Sequence, residues 1–136
     1  MLVDANVLLY AVDADSPFHE RARELLEEAL NGARRVALPW ASLLAFVRIA
    51  THPRALRNPL SGPEAWQLVE EWLDAPAAWV PEPGRAYRSI LGELVRELDL
   101  RGALVSDAAL AALCLEHGLA VVSADSDFAR FRDLTW

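Results

Sequence analysis

MLVDANVLLYAVDAD, residues 1–15, sets an aspartate directly between two apolar runs. Met1–Asp4 reads as a very short buried strand that passes at once into a helical turn over Ala5–Val12. A carboxylate wedged between such segments is at least partly buried, and a buried carboxylate requires a partner. LAVVSAD, residues 119–125, is built the same way, an apolar strand that ends in acid. In an open parallel sheet ligands bind beyond the carboxyl ends of the strands, and both segments deliver an aspartate there.

The chain between them alternates strands and helices. Ser16 and Pro17 are the expected N-cap and first residue of an amphipathic helix, PFHERARELLEEALNG, with Gly32 as its stop. RVAL (35–38) reads as a short strand, and Trp40 to Thr51 as a largely buried helix with apolar residues on several faces. THPRALRNPLSGP (51–63) is rich in proline and arginine and reads as an exposed loop. Pro63 opens a helix carrying Trp66, Val69, Trp72 and Leu73 at helical spacing. AAWV (77–80) is a strand, Ala86–Leu98 a helix, and a further helix follows Arg101-Gly102 and runs to His117, closed by Gly118. SDFARFRDLTW (126–136) is expected to hold a short helical turn and a final edge strand. The implied class is α/β, a short parallel-type sheet with helices on both faces, in a single domain over residues 1–136.

The chain has 136 residues, 54% of them hydrophobic, enough for one compact core. No apolar stretch approaches the roughly 18 residues of a membrane span, and no basic residue precedes the first apolar run. The expectation is a cytoplasmic protein without membrane association. Its one cysteine, Cys114, lies in a helical pattern and reads as a small buried apolar residue. A net charge of −7 has the wrong sign for holding nucleic acid by bulk electrostatics. Acids gathered around a cation are partly neutralised, however, and all 13 basic residues are arginine, suited to bidentate phosphate contacts.

Four aspartates are candidates for one site. Asp4 and Asp125 follow strands. Asp107 lies near the start of the helix VSDAALAALCLEHG, whose N-terminal end attracts negative charge, and Asp127 stands just before Phe128. Gathered carboxylates repel, raising their pKa values, and a cation relieves the conflict. All-oxygen ligands suit Mg2+ or Mn2+, which acidify bound water for attack on a phosphodiester. Taken singly, the same residues also fit duller roles: Asp107 a helix cap, Asp125 and Asp127 turn residues, Asp4 with Asn6 an Asx-type turn.

The segments LVDANVLLYAVDADSPFHERA, LPWASLLAFVRIATHPR and VSDAALAALCLEHGLAVVSADSDFARF together resemble the PIN domain, and within it the VapC toxins of toxin–antitoxin pairs. The resemblance implies a Mg2+- or Mn2+-dependent endoribonuclease, dimeric and inhibited by a VapB-type antitoxin. By position, Asp4, Asp107 and Asp125 look like the metal-binding acids and Asp127 like a supplementary one. Asn6 and Ser123 resemble the small polar residues placed beside the metal. Arg48, on the central helix, is a candidate to contact phosphate or to close the site through an acid pair. His52, Arg54, Arg57, Arg130 and Arg132 are candidates for a basic rim toward RNA. In one respect the chain departs from the pattern: Leu43, Leu44 and Ala45 stand where relatives commonly carry a glutamate, which favours one firmly held metal ion over a pair.

Two rival readings follow from the same residues. A PIN-fold module that binds RNA or antitoxin without cutting would keep the fold and lose the chemistry. A haloacid-dehalogenase-like phosphatase also starts with an aspartate after its first strand, but wants a second aspartate where Asn6 stands, and a lysine that this chain lacks. His19 and His52 show no zinc-ligand spacing. Trp66 and Trp72 fit core or a partner interface better than a base-stacking platform.

Overall fold

The computed structural model describes residues 1–126 and 131. Along the chain run β1 (Leu2–Val3), α1 (Ala5–Val12), α2 (His19–Leu30), β2 (Val36–Ala37), α3 (Trp40–Ala50), α4 (Gly62–Asp74), β3 (Ala78–Trp79), α5 (Tyr87–Leu98), α6 (Ala103–His117) and β4 (Val121–Val122). The strands form one sheet in the order β3-β2-β1-β4. Every pairing is parallel, with Leu2 opposite both Ala37 and Val121. The α/β class expected from the alternation is the one observed, and the last segment's expected helical turn and edge strand lie outside the described residues.

Side chains alternate across a strand, and here the alternation divides the core in two. Val3, Val36 and Leu38 face a cluster built with Leu8, Phe46 and Val69 of the helices α1, α3 and α4. Leu2, Ala37 and Val121 face the other way, onto Leu110, Leu113 and Cys114 of α6. A sheet covered on both sides has no polar face, which is why its strands read as continuous apolar pairs. A slip of one residue in register would exchange the two sets, so burial on both faces fixes the pairing through these helices.

Local signals set most boundaries. Gly118 ends α6 in the left-handed region at φ 67°, and its N–H reaches the Cys114 carbonyl; a side chain there would be strained. Ser61 and Glu64 form a reciprocal capping box at the start of α4, a motif legible in SGPE that the sequence reading passed over for Pro63. Ser16 is a correction. Its Oγ does accept the Phe18 N–H, but the bond from His19 N to Ser16 O closes a separate turn, and α2 starts only at His19 with no side-chain cap. Pro17 therefore belongs to the turn and not to the helix.

A second correction concerns α3. Its inner face is buried through Leu43, Phe46 and Ala50, but Trp40 is 41% and Leu44 55% exposed, so the helix presents a solvent face as well. Residues 51–61 form the expected loop, tied back where Leu60 N donates to the Ala50 carbonyl. Trp72 lies in the core, edge-on to Phe46, as expected. Among the described residues no helix is long and apolar enough to cross a membrane.

Candidate active site

In a parallel sheet all strands end on one edge, and here that edge carries the polar centre. Asp4 follows β1, its backbone N–H donating to the Val122 carbonyl of β4. The same residue is the N-cap of α1, where Oδ1 accepts the Ala5 N–H at 2.7 Å. Oδ2 accepts the Ser123 hydroxyl, also at 2.7 Å. Strand end and helix start coincide in one residue, so the carboxylate is held from two directions.

Ser123 is the hub. Its Oγ accepts from Asn6 Nδ2 at 3.0 Å and from the Asp125 N–H at 2.9 Å. Asn6 Oδ1 in turn accepts the Ala124 N–H, which fixes the amide with its nitrogen toward Ser123. A hydroxyl has one proton and two lone pairs. With both lone pairs taken, the proton must point at Asp4, and that oxygen of Asp4 must be an acceptor. The network thus selects the ionised carboxylate and stitches residues 123–125 to α1.

Burial opposes that selection. Desolvation raises the Asp4 pKa above its usual value, the Ser123 and Ala5 hydrogen bonds pull it down, and the charge of Asp125 pushes it up again. Asp4 and Asp125 therefore sense one another across the β1–β4 edge. Each Asp4 oxygen keeps a lone pair beyond the bonds it already accepts, so the carboxylate retains donor capacity toward a cation.

Asp107 stands on another element. It is partly buried and lies in the second turn of α6, whose first turn holds no acid. The helix starts at Ala103, not beside Ser106, so the helix-cap alternative for Asp107 falls away, and so does direct placement at the dipole end. Because α6 packs on β4 and finishes at that strand's starting edge, its opening turns, with Asp107, lie toward the edge where Asp4 stands. Among the described residues no three Asp, Glu, His or Cys side chains form a ready-made metal cage. Asp127, Arg130 and Arg132 lie outside the described residues.

The remaining candidates sit apart from the acids. Arg48 is exposed near the far end of α3 and, with His52 and Arg54, lines a depression of about 240 Å3. The Arg54 N–H donates to His52 Nδ1. None of the three has an ion-pair partner among the described residues. Arg57 is exposed in the loop that follows. Leu43 is fully buried and Leu44 exposed. Trp40 escaped the sequence reading: it is exposed and stacks on Trp66, with ring centroids 6.2 Å apart and planes at 6°. The spacing of Trp40, Leu44 and Arg48, four residues apart on one stripe, was the available signal.

A parallel sheet wrapped by helices, with carboxylates from separate elements at its carboxyl edge, defines an α/β domain whose polar centre lies at the strand ends. Residues 1–134 match the PIN domain family, and the chain belongs to it. Ribonuclease VapC37 of Mycobacterium tuberculosis (strain ATCC 25618 / H37Rv) is 44% identical over 135 residues, covering 99% of this chain and 94% of its own. Ribonuclease VapC43 of the same strain is 40% identical over 136 residues, covering 100% and 92%. Among solved structures, VapBC2 from Rickettsia felis bound to a DNA fragment from their promoter has a chain that superposes with a TM-score of 0.68 at 15% identity, covering 98% of this chain and 94% of that one. This last likeness is one of fold.

Proposed function

We propose that this protein is a divalent-metal-dependent endoribonuclease and the toxin of a type II toxin–antitoxin pair. One observation carries the reading: the partly buried Asp4 carboxylate accepts the Ser123 hydroxyl at 2.7 Å while the charge of Asp125 acts on it from beyond β4. A carboxylate destabilised by burial and by a neighbouring negative charge gains when a cation joins it. Full-length similarity to relatives named ribonucleases supports the same reaction class.

Asp4 and Asp125, with Asp107 from α6, are the ligands of Mg2+ or Mn2+ in this reading, and Asp127 is auxiliary. When bound, the cation supplies positive charge for the phosphoryl oxygens and acidifies water at neutral pH. Asn6 and Ser123 hold the first carboxylate and the 123–125 backbone in register. Hydrolysis forms one phosphorus–oxygen bond to water and breaks one to a ribose oxygen. With no acid at Leu43 to Ala45, the donor set fits one firmly held ion. Partners follow from the class: an RNA substrate, a VapB-type antitoxin and a second copy of the chain.

Purified chain freed of antitoxin is expected to cleave transfer, ribosomal and messenger RNA fragments with Mg2+ or Mn2+ and to stop on chelation. Asp4→Asn is expected to abolish cleavage while the far-ultraviolet circular dichroism stays native. Folded wild-type protein that cuts none of these RNAs with either metal would return the reading to a binding module without catalysis.

A further inference from the structure

We infer that the exposed face of α3 is a track for single-stranded RNA leading away from the acid centre, with the Trp40–Trp66 pair as a base platform and Arg48, His52 and Arg54 as a phosphate seat. The inference rests on the ribonuclease reading and adds where the strand lies.

Register places the start of the track. Leu2 pairs with Ala37, so continuing the two strands sets Asp4 level with Pro39, the N-cap of α3. Adjacent strands lie about 4.8 Å apart. Trp40 thus begins one residue beyond the level of the first carboxylate, on the neighbouring strand's path. Its indole is exposed and nearly parallel to that of Trp66, whose Nε1 donates to Glu70 at 2.9 Å. That bond fixes the plane of the pair, and a fixed exposed aromatic face suits sequence-tolerant base stacking.

Charge identifies the far end. Trp40, Leu44 and Arg48 succeed one another at four-residue steps, and about 12 Å of helix axis separates the first from the last. At 3.4 Å per stacked nucleotide this is a run of about three or four. The run finishes at Arg48, His52 and Arg54 around one depression. In a chain of net charge −7, the guanidinium groups of Arg48 and Arg54, grouped without an acid partner among the described residues, suit a polyanion.

The test uses the full chain with Asp4→Asn, which keeps RNA intact, and a short fluorescein-labelled oligouridylate. Anisotropy gives affinity, tryptophan quenching reports stacking, and light scattering after size exclusion gives mass. Added Trp40→Ala or Trp66→Ala is expected to weaken binding about tenfold and remove most of the quenching, while Trp66→Phe retains both. Arg48→Ala with Arg54→Ala is expected to flatten the salt dependence by about 1.4 in log–log slope. These residues are exposed, and circular dichroism checks the fold. Unchanged affinity in all variants overturns the track. So does any change of mass in the tryptophan variants, which assigns the face to a second copy. Cleavage by the wild type, measured separately, judges the ribonuclease reading alone.

Discussion

Replacing Ser123 by alanine tests the logic of the acid centre most directly. The hydroxyl donates to Asp4 at 2.7 Å and accepts from Asn6 and the Asp125 N–H. A hydrogen bond to a charged group is worth about 1.5–3 kcal/mol, and a neutral one about 0.5–1.5. Because the cluster is only partly buried, water replaces some of each, and the lower figures apply. The expected loss is about 2–3 kcal/mol, or roughly 8 °C in Tm for a chain of this size. The pH dependence carries a definite sign. Asp4 already has a raised pKa, largely from burial, so the folded state holds its proton more tightly than the unfolded chain. Stability on this account falls as pH rises from the unfolded value of 3.8 through the folded value. Without the Ser123 bond the folded pKa rises further, so the deficit of Ser123→Ala is greatest above that pKa and shrinks toward pH 3.8. The acid limb of the cleavage profile is expected to move to higher pH in the same variant, and Ser123→Thr to restore it. Urea unfolding across pH, with cleavage rates in parallel, measures both. A Ser123→Ala protein with wild-type stability at neutral pH and an unmoved acid limb would refute the hub.

Glu116 accepts the Gly84 and Ala86 N–H groups at the start of α5 and is 10% exposed; Glu116→Gln is expected to lower stability by about 1–2 kcal/mol in urea unfolding without changing the metal requirement of cleavage. A Cβ at Gly84 would stand 2.9 Å from Glu116 Oε2, so Gly84→Ala should displace the carboxylate and reproduce part of that loss. Ser42 is 1% exposed and its Oγ has no hydrogen-bond partner among the described residues, so Ser42→Ala is expected to leave Tm unchanged or raise it by a few degrees. Burial pushes the Cys114 thiol up to about 12, and a thiol-specific reagent is expected to modify it only as fast as the chain unfolds, a rate read by labelling over a denaturant series.

The sequence by itself determined the class of fold. Apolar pairs too short to be helices, alternating with amphipathic helices, admit a doubly covered parallel sheet, and Asp4 and Asp125 were legible because each ends such a strand. Gly118 was legible as a helix stop because a left-handed residue wants no side chain. Ser16 misled for a physical reason: its cap-like hydrogen bond is real, but a local motif does not say whether a turn or a helix continues from it. Tertiary structure alone decided the rest. That Ser123 directs its proton to Asp4 depends on its lone pairs being filled by the nearby Asp125 N–H and by Asn6, which lies more than a hundred residues away in the chain. That Trp72 is core while Trp66 meets Trp40 in solvent depends on how α4 lies against α3. Periodicity assigns a residue to a face of its own helix; only packing decides what, if anything, covers that face.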